Sequence, residues 1–235
     1  LDTWKQVPQL RTIPIGESID VQLDIMGYEK AEELISDHET FAVADCICRK
    51  SQAIIDRGCD KPLEVCLSFG EAAEFFKRNE IGRAIDKEEA IKILDIANEV
   101  GLVLQPSNSK KATFLCCCCG DCCAVLQNLK QHPEPASIVS SPFRAVNDVD
   151  MCDGCLDCTF RCQMEALIQN NGTVSVDKAR CIGCGLCVTS CPAGAMTLIR
   201  KPESDVAPVP KDWVDTSIKL GKARGKLNNG DLVKM

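Results

Sequence analysis

The sequence predicts an α+β fold: two compact parts and an extended C-terminal tail. Three observations predict it. Between residues 143 and 200, eight cysteines fall into two runs of identical spacing, with Cys152, Cys155, Cys158 and Cys162 reappearing as Cys181, Cys184, Cys187 and Cys191. Such self-similarity means two copies of one small unit. Ahead of them, residues 1–131 carry ten further cysteines among alternating strand and helix patterns, the mark of a separate small α/β domain. A Pro- and Ser-containing stretch at 132–142 reads as a linker, and beyond residue 200 the chain turns polar and Pro-rich.

The elements follow in order. Pro8 and Pro14 keep the start extended, and Tyr28–Ile35 has helical composition. Phe41–Cys48 reads as a strand whose alternation places Ala42, Ala44, Cys46 and Cys48 on one face. Ser68 with Glu71 predicts a capping box for a helix over 69–79, and Asp86 with Glu89 predicts another, opening a helix that Gly101 ends. Segments 102–105 and 112–115 read as short strands, and 122–131 as a helix stopped by Pro133 and Pro135. Gly172 fits a turn between two short strands. Residues 212–227 read as an exposed helix within the 201–235 tail, which is expected to contribute little to holding metal.

Composition narrows the function classes. A formal charge of -7 gives no general affinity for nucleic acid or anionic membranes and favours partners with basic patches. The 18 cysteines, many two or three residues apart, would mean disulfides in a secreted chain. No signal peptide opens the sequence and no apolar run could span a bilayer, so the expectation is metal in a reducing compartment, with a cytoplasmic location. The chain starts at Leu1 and not Met, which suggests a piece of a longer product.

The repeated unit reads C-x2-C-x2-C-x3-C, the second copy followed by Pro192. A cubane cluster needs four converging thiolates, and closely spaced cysteines on one loop supply three. The pattern resembles bacterial two-cluster ferredoxins, in which the fourth cysteine of each run ligates the other cluster. The resemblance implies a ferredoxin-like module with two [4Fe–4S] clusters. Cluster one would be held by Cys152, Cys155, Cys158 and Cys191, and cluster two by Cys181, Cys184, Cys187 and Cys162. Gly154, Gly183 and Gly185 relieve crowding where backbone meets cluster. Gln163 departs from the family, which usually has Pro there.

The other ten cysteines are Cys46, Cys48, Cys59, Cys66, Cys116, Cys117, Cys118, Cys119, Cys122 and Cys123. One could be core filler, but ten predict one or two additional Fe–S clusters. Adjacent residues in an extended segment face opposite ways, so Cys116 and Cys118 can share a site more readily than Cys116 and Cys117. If Cys119 caps the following helix, it falls on one side with Cys122 or Cys123. The favoured grouping joins the Cys46/Cys48 strand and the Cys59/Cys66 loop to the 116–123 run. This half resembles a group of uncharacterised 4Fe–4S dicluster-containing proteins of anaerobes, on the segments Cys46-Ile-Cys48-Arg49, Cys59 to Gly70, and Cys116 to Cys123. In that resemblance Cys117 is a variable position and the expected bystander.

Three functions fit. The first is electron transfer through multiple [4Fe–4S] clusters, as a polyferredoxin-like protein or a subunit of an anaerobic redox complex. The second is a redox enzyme with a catalytic cluster in the N-terminal half, where Cys118–Gly120 resembles weakly the cysteine-rich domain of heterodisulfide reductases. The third is an Fe–S redox sensor. His38 and His132 read as surface residues, and neither a P-loop nor a dinucleotide fingerprint is present. These absences favour electron transfer. The partners expected are a redox protein, other subunits of a complex or a second copy in a homo-oligomer, with no nucleic acid and no membrane insertion.

Overall fold

The computed structural model describes residues 6–227; expectations for residues 1–5 and 228–235 lie outside the described residues. Helix and strand are mixed throughout, as an α+β chain requires. The N-terminal half is built on an antiparallel sheet of β1 (Phe41–Asp45), β2 (Glu64–Phe69), β3 (Arg83–Ile85), β4 (Val103–Pro106) and β5 (Phe114–Cys118), in the order β3-β1-β2-β5-β4. Around it lie α1 (Ala31–Ser36), α2 (Ile47–Ile54), α3 (Glu71–Arg78), α4 (Lys87–Glu99) and α5 (Ala124–Gln131). α4 begins as its sequence dictates: the Asp86 carboxylate accepts the Glu89 N–H at 2.7 Å. Its Ala90, Ile93, Leu94 and Ala97 form the buried stripe.

Four local expectations are corrected. The helix foreseen at Tyr28–Ile35 is a 3-10 turn at Gly27–Glu29 followed by α1. The strand foreseen to Cys48 ends at Asp45; Cys46 is the extended N-cap of α2 and Cys48 sits in its first turn. Lys50 and Ser51 are exposed while Arg49 is buried, a distribution that a helix satisfies and a buried strand does not. Ser68 caps no helix, because it is committed to the sheet opposite Ala42 and Phe114. Gly70 instead precedes α3 at φ 55, ψ -127, a conformation open to glycine. Finally, β5 runs on through Cys118, and the helix foreseen from Cys122 starts at Ala124 with Cys123, not Cys119, as its cap.

In the C-terminal half, β6 (Phe143–Asn147) pairs antiparallel with β9 (Met196–Arg200). β7 (Leu167–Asn170) and β8 (Thr173–Val176) form a hairpin whose turn is Asn171-Gly172, both at positive φ. The short helices α6 (Asp157–Arg161) and α7 (Leu186–Thr189) carry Cys158 and Cys187.

The two halves share one apolar core, running from Leu34 and Leu67 to Phe143, Ala145 and Leu198. Polar contacts reinforce it. Arg161 donates to the Glu99 carbonyl at 2.7 Å, Ile15 N–H donates to the Cys184 carbonyl at 3.0 Å, and Arg200 grips the buried Glu29 carboxylate at 2.8 and 2.9 Å. Segment 132–142 contains a 3-10 turn at Pro135–Ser137 and packs Ile138 into the core. The tail forms α8 (Trp213–Ala223), capped by Asp212, and Thr216 donates to the Asn108 carbonyl at 2.8 Å.

Candidate metal centres

Cys162, from the first run, lies with Cys181, Cys184 and Cys187 around one cavity, and Cys158 has Cys191, Cys155 and Cys152 as neighbours. Burial, followed by the neighbouring Cys191, Cys155 and Cys152 thiols, pushes the Cys158 thiol up to about 11. Cys191 thus stands with the first run. Burial also pushes Cys184 up to about 12, with the nearby Cys162 and Cys181 adding to it. Cys187 is driven well above the ordinary thiol range by burial and then by Cys184, Cys181, Cys162 and Cys158. Burial disfavours the thiolates, and like charges crowded together act in the same direction.

The surroundings fit a cubane. Cys162, Cys181, Cys184 and Cys187 line one cavity whose other walls include Ala145, Met164, Ala166, Ile182 and Leu186. Backbone amides already point at the sulfurs: Ala145 N–H donates to Cys181 Sγ at 3.3 Å and Ala166 N–H to Cys162 Sγ at 3.2 Å. Soft thiolates, amide donors and apolar walls are the donor set of an Fe–S cluster. The other quartet is closer to solvent, with Cys155 exposed and Phe160 and Met151 uncovered beside it.

In the N-terminal half the ten cysteines divide. The sheet register sets Cys66 directly opposite Cys116, and Ala44, two residues before Cys46, opposite Cys66. Cys118 lies two residues along β5, on the Cys116 face. Cys48 and Cys123 complete this six-thiol set. Hydrogen bonds from Cys118 and Cys48 hold Cys123 down at about 4, while Cys118 and then Cys66 hold Cys116 low. The donors Cys66 and Cys118 are pushed up in turn, each chiefly by Cys116. Cys117 faces the other way, fully buried, and burial raises its pKa.

Cys59 does not join Cys66, despite the loop that links them. It meets Cys119 and Cys122 instead, all three Sγ atoms lying within 4.8 Å of one another. Burial pushes Cys122 up to about 12. The favoured grouping of Cys59 and Cys66 in one site is thus not the arrangement observed. An open apolar cleft of about 390 Å³, lined by Ile47, Leu67, Phe76, Ile81 and Phe114, reaches Cys66 and Cys116.

Two residues gain roles that sequence reasoning had not given them. Arg49, 1% exposed, donates to the Pro62 carbonyl at 2.8 Å and the Cys117 carbonyl at 3.0 Å. Burial alone would lower its pKa, but the Cys119 and Cys46 charges outweigh that and hold it above its ordinary value. Its one sequence signal is an arginine directly after C-x-C. Gln163 accepts the Gly120 N–H at 2.6 Å, tying the Cys116–Cys123 turn to the residue after Cys162. A side chain at Gly120 would press on the Gln163 carbonyl at 2.7 Å, so the approach requires glycine.

These features define an iron–sulfur protein. Residues 174–197 match the 4Fe–4S binding domain family, a segment holding Cys181, Cys184, Cys187 and Cys191. The chain is similar to "Indolepyruvate oxidoreductase subunit IorA" of Methanothermobacter marburgensis, 39% identical over 125 residues, 50% of this chain and 19% of that protein. It is also similar to an "Iron-sulfur protein" of Rhodospirillum rubrum, 37% identical over 87 residues, 32% of this chain and 46% of the relative. "Electron transport protein HydN" of Escherichia coli K12 is 37% identical over 59 residues, 24% of this chain and 34% of the relative. The matched regions thus span from about a fifth to under half of these relatives' lengths. No helix among the described residues is long and apolar enough to cross a membrane.

Proposed function

We propose that this iron–sulfur protein relays electrons as a subunit of a redox complex, between a partner docked at the Cys155 end and the N-terminal half. What supports this reading is that Cys162 lines the cavity of Cys181, Cys184 and Cys187 and stands one residue from the Gln163–Gly120 contact to the other half. A bound [4Fe–4S] cluster supplies reversible one-electron exchange at a potential set by hydrogen bonds, charge and solvent access. The chain's own part is to hold the sulfurs, aim amides at them and keep one quartet buried and the other near the surface. The six-thiol set of Cys46, Cys48, Cys66, Cys116, Cys118 and Cys123 would hold a further Fe–S cluster at the far end of the path. The names of the relatives, an oxidoreductase subunit and an electron transport protein, support the assignment.

Iron and sulfide quantitation with electron paramagnetic resonance on the anaerobically reconstituted full chain tests the reading. The expected result is about eight irons for the ferredoxin pair plus those of the six-thiol set, with spin-coupled reduced cubanes. A folded chain with fewer than about eight irons would refute it. The apolar cleft at Cys66 and Cys116 favours, as a second reading, chemistry on a small substrate there. An N-terminal resonance shifted by added thiol or disulfide would establish that reading; one indifferent to both would remove it.

The surface quartet is ringed by exposed Asp148, Asp150, Asp153 and Asp157. Such a collar draws in cationic partners at low ionic strength. Converting Asp150, Asp153 and Asp157 to Asn should slow electron exchange with hexaammineruthenium(III) about three- to tenfold in dilute buffer, and leave it unchanged at about 1 M salt, where screening is complete. Stopped-flow rates that do not depend on these aspartates would place the docking face elsewhere.

A further inference from the structure

We propose that Cys59, Cys119 and Cys122 bind a single divalent zinc ion through three thiolates, in a site separate from the clusters and open at its fourth position to water or a small thiol.

The spacing of the sulfurs carries the inference. Thiolates about 2.3 Å from one tetrahedral ion stand about 3.8 Å from one another. Cys59 Sγ and Cys119 Sγ are 3.7 Å apart, and Cys122 Sγ lies within 4.8 Å of both. A cubane separates its cysteine sulfurs further, because each binds a different iron. Among the described residues, Cys59, Cys119 and Cys122 form a set of three metal-binding side chains drawn within 4.8 Å of one another.

Charge and topology agree. Three thiolates on a divalent ion leave one net negative charge. The buried Arg49 guanidinium lies beside that turn, donating to the Cys117 carbonyl at 3.0 Å two residues from Cys119, and its Nε has no partner among the described residues. Cys119 and Cys122 lie in the turn between β5 and α5, and Cys59 comes from the loop between α2 and β2, so an ion there would clip two distant segments. Zinc is favoured over ferrous iron because a thiolate site binds it more tightly in the divalent series. Cys119 and Cys122 are buried but Cys59 is part-exposed, and no fourth His, Cys, Asp or Glu among the described residues joins the set. Zinc sites with three protein ligands and one free position are the reactive class, not the closed structural one.

The test uses the full chain purified without oxygen or chelator. Elemental analysis should find about one zinc per chain beside the iron. Cys122→Ser should lose that zinc while iron and sulfide stay at the wild-type level. Zinc-edge X-ray absorption on the wild-type chain, which does not depend on the variant folding, should show sulfur from the three cysteines and one oxygen. The oxygen should be replaced by sulfur when ethanethiol is added. Zinc that survives Cys122→Ser, a loss of iron and sulfide in that variant, or a zinc shell unchanged by ethanethiol would each overturn the proposal.

Discussion

Cys162→Ser is expected to abolish the cluster held by Cys181, Cys184 and Cys187, and to spare the one held by Cys152, Cys155, Cys158 and Cys191. In sequence, Cys162 belongs to the first run. In space it lines the cavity of the second and accepts the Ala166 N–H. A serine oxygen is a far harder ligand than a thiolate and leaves one iron of a cubane poorly held. The iron content should fall by about four per chain. The electron paramagnetic resonance spectrum of the reduced chain should lose the splitting that coupled clusters produce. Because the surviving quartet is the more exposed one, the remaining signal should stay accessible to small acceptors. Loss of the Cys152 quartet alone, with the other intact, would contradict the crossed assignment.

Arg49→Leu is the second large effect, and it should destabilise the N-terminal half. Two charged hydrogen bonds, to the Pro62 and Cys117 carbonyls, would vanish from a site only 1% exposed. Both carbonyls would then be left without this donor. Losses of this kind cost about 3–5 kcal/mol. Arg49→Lys should recover only part of it, since one ammonium cannot span both carbonyls as the planar guanidinium does. The denaturant midpoint of the anaerobic holo-chain, read with its metal content, checks both variants. Wild-type stability in Arg49→Leu would mean that the guanidinium has no structural part.

The iron–sulfur character of the chain was legible because closely spaced cysteines are a local signal. Cysteines two and three residues apart on a tight loop are held near one another by the chain itself, whereas the partner of each fourth cysteine is implied only by the ferredoxin resemblance. The Asp86 cap and the Asn171-Gly172 turn were legible for the same reason, each being settled within four residues. The strand foreseen through Cys48 failed because alternation over a few residues does not distinguish a continuing strand from a helix whose first turn buries the same side. Ser68 failed as a cap because its backbone had already been claimed by two neighbouring strands.

By itself the sequence determined which residues are thiols, which of them share a loop, and that eight of them form a duplicated C-x2-C-x2-C-x3-C pattern. Only the tertiary structure decided how the other ten divide. Cys66 meets Cys116 because β2 and β5 are paired in one register, and a slip of one residue would turn each to the opposite face. Cys59 leaves Cys66 for Cys119 and Cys122 because the loop after α2 returns over the β5–α5 turn. Those contacts join segments tens of residues apart, and strand order, register and a shared apolar core set them, which short-range spacing does not encode.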